Sequence, residues 1–301
     1  MIEYNHCMEE ELIEKYKKAG KIAAEALAYG KELIKKDNRV LDVCNKVEEK
    51  IVSLGGAMAF PTQISMNDIA AHYCPEDDDE LVFSDQLVCL DVGVHVDGCI
   101  GDNACSVDLS GSNSELVKAS SEALKAAIEK VKVGVKLSSI GKAIEDTITS
   151  FGFSPVRNLS GHGLDLYNIH CTPTIPNFDT KNDEILEKGF IAIEPFATNG
   201  AGMIHEKGEA SVFSLVGKKS VRVGFVRNVL KQIEAYNGLP FTTRWLTKNM
   251  SEAQVRYALN QLRQIEILKG YPPLVERSEG LVSQAEHSLL VDDEVVVLTK
   301  C

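Results

Sequence analysis

Apolar residues recur at helical spacing over residues 9–36. Leu12, Tyr16, Ala19, Ala23, Ala26 and Leu33 form one stripe at intervals of three, four and seven. This predicts a long helix with one buried face. A second helix is expected at 42–54, with Asp42 as N-cap. Val43, Val47, Ile51 and Leu54 share its apolar face, and Gly55-Gly56 stop it. Strand-like segments follow at 57–60 and 87–108. The plan then repeats. A helix at 114–132 carries Leu116, Ser120, Ala123, Ala127 and Val131, and another at 137–150 carries Ile140, Ile144 and Ile148 before Gly152.

The repeat extends to individual residues. IVSLGGAMAFP (51–61) resembles ITSFGFSP (148–155), 97 residues on. His72 and His170 lie 98 residues apart. LVCLD (87–91) and FIAIE (190–194) each end an apolar run on an acid, 103 residues apart. Asp102 then corresponds to Glu286, but across 184 residues. The excess implies an insertion within 205–280, and its pattern reads as helical. Ser251-Glu252-Ala253-Gln254 is a capping box. Val255, Leu259, Leu262, Ile265 and Ile267 supply apolar positions, and Lys269-Gly270 with Tyr271-Pro272-Pro273 are the expected stop. Trp245, the only tryptophan, is the expected anchor of a small core there. No solenoid period occurs.

With 301 residues, 44% hydrophobic and 25% charged, the chain suits one large globular domain or two smaller ones. A net charge of −12 argues against non-specific binding to nucleic acid or an anionic membrane. Eight cysteines without a C-x-x-C pair fit neither a disulfide scaffold nor a zinc knuckle, and point to a reducing compartment. The acidic start, Met1 to Glu14, is no signal peptide, and no apolar run reaches membrane-span length. The run Pro75–Glu80 lacks EF-hand spacing and reads as a solvated acidic loop.

Against this background five residues stand out. Asp91 follows Leu87–Leu90, Asp102 lies past a Val96-Asp97-Gly98 turn, Glu194 ends Phe190–Ile193, and Glu286 opens Ser288–Val291. His162 stands between Gly161 and Gly163, which let the backbone approach closely. A carboxylate in an apolar strand is unfavourable unless something positive meets it, and no lysine or arginine accompanies these positions. Asp91 and Asp102 are equidistant from a midpoint at Val96-Asp97. They are therefore expected to face each other, with Cβ atoms about 4.5–5.5 Å apart. The competing reading turns one of them to solvent, since a one-residue register change reverses the face. Four carboxylates and one imidazole suit Mn, Fe, Co or Zn, and their charge balances two divalent ions. Paired ions about 3.5–4 Å apart serve hydrolysis. His72 and His170 are left to bond substrate or stabilise an oxyanion.

The strings NDIAAHY, LDVGVHVDGCIGD, NLSGHGLDLYNIH, IAIEPF and QAEHSLLV occur in that order between 67 and 291. In this they resemble the successive motifs of the type II methionine aminopeptidase family, archaeal-like. The resemblance implies an α+β pita-bread fold: two pseudo-symmetric α/β halves with antiparallel sheet around a dinuclear metal site. Residues 1–301 would form one catalytic domain, with 208–275 a helical insertion. It implies that Asp91 binds one metal, that Asp102 and Glu286 bridge two, and that His162 and Glu194 bind the second. The cofactors would be two divalent ions (Co, Mn, Fe or Zn). A bridging hydroxide would attack the first peptide bond, with Glu194 shuttling its proton. His72 and His170 would contact substrate and stabilise the intermediate, and Phe60 and Ile169 would line the methionine pocket.

The implied substrate is the N-terminus of nascent polypeptides. Nucleic acid and membrane are not expected partners, and a cytoplasmic monomer is expected. The long charged N-terminal extension of eukaryotic type II enzymes is not seen, so ribosome attachment through it is not implied. His205 is left without an assigned role, as are Cys74 and Cys171 beside the two substrate histidines; His6 and His95 are expected to be structural. A proline dipeptidase or aminopeptidase P, and a binding module on the same fold, are the alternatives. A nuclease or phosphatase is disfavoured by the lack of an Arg/Lys phosphate clamp.

Overall fold

A computed structural model describes residues 2–248 and 250–300, with side chains from residue 10 onward. Helix α1 (Ile2–Leu33) carries the expected stripe, and Tyr16, Ala19, Ala23 and Ala26 are buried along it. Helix α2 (Val40–Ser53) starts earlier than expected. Its N-cap is Arg39, without a side-chain cap bond, because Val40 and Leu41 are already buried as helical residues. Asp42 instead lies in the first turn, where its charge suits the helix dipole. Helices α3 (Ser114–Lys130) and α4 (Leu137–Ser150) lie where the periodicity puts them. His6 and Cys7 have side chains outside the described residues, as does all of Cys301. Among the described residues no helix is long and apolar enough to cross a membrane.

A nine-stranded antiparallel sheet joins the two halves. Its order is Ala57–Met58, Leu87–Val96, Cys99–Asp108, Glu286–Val291, Gly189–Ile193, Ser160–Asp165, Asn168–Pro176. Gln63–Met66 adds beside Leu87–Val96, and Val295–Val297 beside Glu286–Val291. Cys99–Asp108 and Leu87–Val96 lie on one side of the central junction in the same order as Glu286–Val291 and Gly189–Ile193 on the other, as the repeat requires. One core lies between α1, α2 and the first hairpin, around Val43, Val47, Ile51 and Leu90. The other lies between α3, α4 and the second half, around Ile140, Ile144, Ile193 and Leu289. Each fully buried side chain of this kind contributes about 1.5–3 kcal/mol.

The hairpin register differs from expectation. Asp91 faces Ala104, and Asp102 faces Gly93. The cause is the two-residue turn Asp97-Gly98, with φ of 51° and 91°. Both residues are left-handed, the type I′ geometry that matches strand twist and that Asp-Gly favours. The turn centre therefore lies one residue beyond Val96-Asp97. The two aspartates are diagonal neighbours rather than directly opposed. They still share a face, because the pairing moved by two positions, a whole side-chain period.

The insertion is not purely helical. Helices α5 (Gly224–Glu234), α6 (Thr243–Thr247) and α7 (Glu252–Gln264) pack on a three-stranded sheet of Phe241–Thr242, Val212–Leu215 and Leu268–Tyr271. Strands of two to four residues are too short to leave a period. Ser251 caps α7 through its hydroxyl, as the motif predicts. The helix ends at Gln264, with Glu266 in the left-handed region at φ 59°, so Lys269 and Gly270 are strand residues rather than a stop. The acidic loop is also less solvated than expected. Glu76 pairs with Arg256, Asp77 accepts from Thr247, and Asp79 accepts from the Tyr73 hydroxyl.

One buried ion pair docks the insertion on the first half. Arg244, on α6, and Glu48, on α2, are both buried. Arg244 Nη1 donates to Glu48 Oε2 at 2.8 Å, and Nη2 donates to Oε1. Trp245 Nε1 (2.9 Å) and Thr62 N (3.2 Å) complete the carboxylate's partners. Trp245 thus anchors the insertion core, as expected, and also reaches across the junction. Removing one partner of such a pair strands the other charge. Arg244→Met should lower the unfolding free energy by about 3–5 kcal/mol in urea denaturation. A loss under about 1 kcal/mol would mean the pair behaves like a surface one.

Candidate metal centre

Four strands of the sheet and the residue just past a fifth, Glu194 after Gly189–Ile193, bring the five conspicuous residues to the same face. Two lateral rows result. In the first, Asp91 lies opposite Ala104, which lies opposite Glu286. Glu194 follows one residue past the His287–Ile193 pair, so it flanks Glu286 on the other side. In the second row, Gly93 lies opposite Asp102, and Ser288 lies opposite Ala192, which lies opposite His162. Ser288 Oγ joins the row by bonding Asp102 N at 2.8 Å. The intervening positions are Gly, Ala or Ser. Gly93 has no alternative, since a Cβ there would lie 2.1 Å from the Phe60 ring.

All five side chains line one cavity of about 700 Å³. One atom each from Asp102, His162 and Glu286 lie within 4.8 Å of one another. Asp91 Oδ1, Asp102 Oδ1 and Glu286 Oε1 are buried without a hydrogen-bond partner. Burial pushes the Asp91 carboxyl up to about 7. Burial, and then the facing carboxylates, hold Asp102, Glu194 and Glu286 well above their ordinary range. Among the described residues no lysine or arginine pairs with any of them; Lys269, which also lines the cavity, stands 4.9 Å over the Tyr271 ring.

The histidine completes the case for a cation. His162 Nδ1 lies 3.2 Å from Gly163 O, and a carbonyl only accepts, so Nδ1 carries the proton. Burial lowers the ring to about 3, so it is neutral. Its Nε2 lone pair then faces Glu194 Oε1 at 3.5 Å and Asp102 Oδ2 at 3.9 Å. A lone pair aimed at two carboxylates is repulsive unless a cation or proton stands between. Backbone-fixed imidazole is also the usual second contact of a metal-binding histidine. The donor set fits a divalent ion of the borderline class.

The remaining expected residues gather here too. Phe60 and Ile169 line the cavity and pack in one apolar cluster with Ala59, Leu164 and Leu239. His170 lines it with its ring 4.5 Å from that of His162. His72 takes a left-handed backbone, φ 68°, with its N–H donated to Gln63 Oε1 at 2.7 Å. Its Nδ1 lies 3.3 Å from Pro272 O, so that nitrogen is protonated as well. Burial lowers His72 to about 4 and also lowers His170, so both rings are neutral at pH 7. His205 also lines the cavity. Cys171 lines an adjoining groove with His162 and His170, whereas Cys74 is buried behind the site against Thr242 and Arg244. His95 accepts from Gly98 N at 3.2 Å within its own turn.

Gln284 was missed by sequence reasoning. Its Nε2 donates to Glu194 Oε2 at 3.4 Å and Glu286 Oε2 at 3.3 Å. It ends Val282–Gln284, a strand of a separate three-stranded sheet, so alternation along the strand of Glu286 gives no signal for it. Tyr271 and Lys269, on the insertion's last strand, form part of the cavity wall without any sequence signal.

Residues 14–225 match the family described as Metallopeptidase family M24. A methionine aminopeptidase of Archaeoglobus fulgidus is 46% identical over 295 residues, 97% of this chain and 99% of that one. One of Methanocaldococcus jannaschii is 42% identical over the same length and shares. Among solved structures, a methionine aminopeptidase of Thermotoga maritima superposes with a TM-score of 0.70 at 25% identity, covering 97% of both chains. The fold is therefore the pita-bread fold, and by its family match and its curated relatives the chain belongs to metallopeptidase family M24.

Proposed function

We propose that this chain removes the N-terminal methionine from peptides and nascent proteins by metal-dependent hydrolysis of the first peptide bond. The observation that carries this is the bare His162 Nε2 facing two buried carboxylates inside a cavity walled by Phe60 and Ile169. The relatives named methionine aminopeptidase over nearly the whole chain support the substrate. Asp91, Asp102, His162, Glu194 and Glu286 would hold two divalent ions, Co, Mn, Fe or Zn. When bound, such ions supply Lewis acidity toward the scissile carbonyl and a water acidic enough to attack it.

The chain's own residues do the rest. Gln284 orients the Glu194 and Glu286 carboxylates about one amide nitrogen by donating to one oxygen of each. Glu194, steadied in this way, shuttles the proton from the attacking water toward the leaving amine. His72, protonated on Nδ1, presents Nε2 as an acceptor for a substrate N–H. His170 stabilises the developing oxyanion. Phe60 and Ile169 enclose an unbranched apolar side chain, which matches methionine. Residues 208–275 are proposed as a subdomain inserted into a single catalytic domain.

Three outcomes are expected. Metal-stripped protein, reloaded separately with Mn²⁺, Fe²⁺, Co²⁺ or Zn²⁺, should release methionine from Met-Ala-Ser and leave Xaa-Pro peptides intact. Preference for Xaa-Pro peptides would sink the reading in favour of a proline-specific relative. Asp102→Ala should abolish both divalent-ion binding by calorimetry and peptide hydrolysis. His170→Ala should lower kcat by about 10²–10³-fold with ion affinity unchanged; an equal loss of ion affinity would assign His170 to the metal instead.

A further inference from the structure

Strand Glu286–Val291 changes neighbour halfway along one edge. Glu286 and His287 pair with Ala104 and Asn103. Leu289, Leu290 and Val291 pair instead with Val297, Val296 and Val295. Ser288 sits at the fork, fully buried. Opposite it, Asp102 would lack a ladder partner on that side. The Ser288 hydroxyl takes that place, accepting from Asp102 N at 2.8 Å and donating to Asp102 O at 2.9 Å. One hydroxyl, with one proton and two lone pairs, satisfies both groups.

Ser288 is itself held from the far side. Its N–H donates to Thr299 Oγ1 at 3.0 Å, and its carbonyl accepts from Leu298 N at 2.8 Å. Thr299 O accepts from Asn103 Nδ2 at 3.3 Å, and Thr299 Oγ1 meets His287 Nδ1 at 2.9 Å. Thr299 is thus tied to both strands of the fork, at Asn103 and at His287-Ser288. Leu298 packs among Tyr16, Cys99 and Leu290, which fixes the segment against α1. A continuous chain of hydrogen bonds runs from Thr299 through Ser288 to the backbone of Asp102. Neither Ser288 nor Thr299 lines the cavity.

We propose that Ser288 and Thr299 are positioning residues that set where Asp102 stands, and thereby the divalent-ion affinity of the centre. This rests on Asp102 being a metal ligand, as proposed above. Asp102 belongs to the tightest group of candidate ligand atoms, with His162 and Glu286. Its neighbour in the row is Ser288 itself, so a slack fork shifts Asp102 relative to Glu286. Partners one bond removed from a metal ligand typically change affinity by about 10–100-fold.

The test is calorimetric titration of the full-length, metal-stripped chain with Mn²⁺, under conditions where circular dichroism shows each variant folded. Thr299→Val should weaken Mn²⁺ binding by about tenfold or more, and Thr299→Ser, which restores the hydroxyl, should return it to the wild-type value. Ser288→Ala reports on the same chain from its other end and decides the matter if Thr299→Val fails to fold. Wild-type Mn²⁺ affinity in Thr299→Val or Ser288→Ala, while Asp102→Ala loses binding, would overturn the positioning role and leave the metal site standing. Equal binding by wild type and Asp102→Ala would instead overturn the metal reading on which the inference rests.

Discussion

The centre depends on one strand being paired correctly on both edges. Glu286 lies opposite Ala104 on one side, and His287 lies opposite Ile193 on the other. These pairings join the two halves and fix the phase between them. A slip of one residue on either edge would turn half of the polar set to the opposite face. The lateral rows follow from this phase: Asp91, Glu286 and Glu194 in one, Asp102 and His162 in the other. The helices and the two apolar cores act on the site indirectly, by keeping that sheet in register.

The protein buries carboxylates in three ways, and the contrast identifies the site. Glu48 is met by Arg244, Trp245 and Thr62, so its charge is matched and its oxygens are bonded. Glu276 is met by Gly202 N, Ser278 N and Oγ, and Gly280 N. There the upward push of burial is outweighed by these donors, and the carboxyl sits below its ordinary value. Asp91, Asp102 and Glu286 each keep an oxygen with no partner, and all four site carboxyls are driven upward. A fold that can satisfy buried acids elsewhere leaves these open. Unpaired buried charge is unfavourable, and here it is concentrated where a cation would relieve it.

Much of this was legible in the sequence because it rests on period. The stripes of α1, α3 and α4, and the acids ending apolar strands, are one-dimensional signals. The Asp91–Asp102 pairing differs from expectation by two residues because the Asp97-Gly98 turn, not the midpoint between the acids, decides where a hairpin folds. The insertion's strands left no trace, because two to four residues are too few to repeat an alternation. Gln284 and Ser288 were within quoted motifs but had no role until the rows were built. Their functions lie in lateral neighbours that are remote in sequence, Glu194 and Asp102. His205 could not be assigned for the same reason: its presence in the cavity depends on the pairing of Ile204–Glu206 with Leu274–Glu276.

The insertion then has a chemical consequence beyond packing. His72 belongs to the first half, yet its protonated nitrogen is chosen by Pro272 O, near the end of the insertion. Tyr271, one residue earlier, meets the same ring edge-on at 5.7 Å. Gln63 holds the His72 backbone in a conformation that few residues other than glycine adopt. The ring is thus oriented by two parts of the chain that meet only when the insertion is docked. The docking contact is the buried Glu48–Arg244 pair, and Arg244 Nη2 lies 3.9 Å from Cys74 Sγ, two residues along the chain from His72. The tautomer of His72 therefore depends on how the insertion sits, which ties a proton position in the cavity to an ion pair outside it.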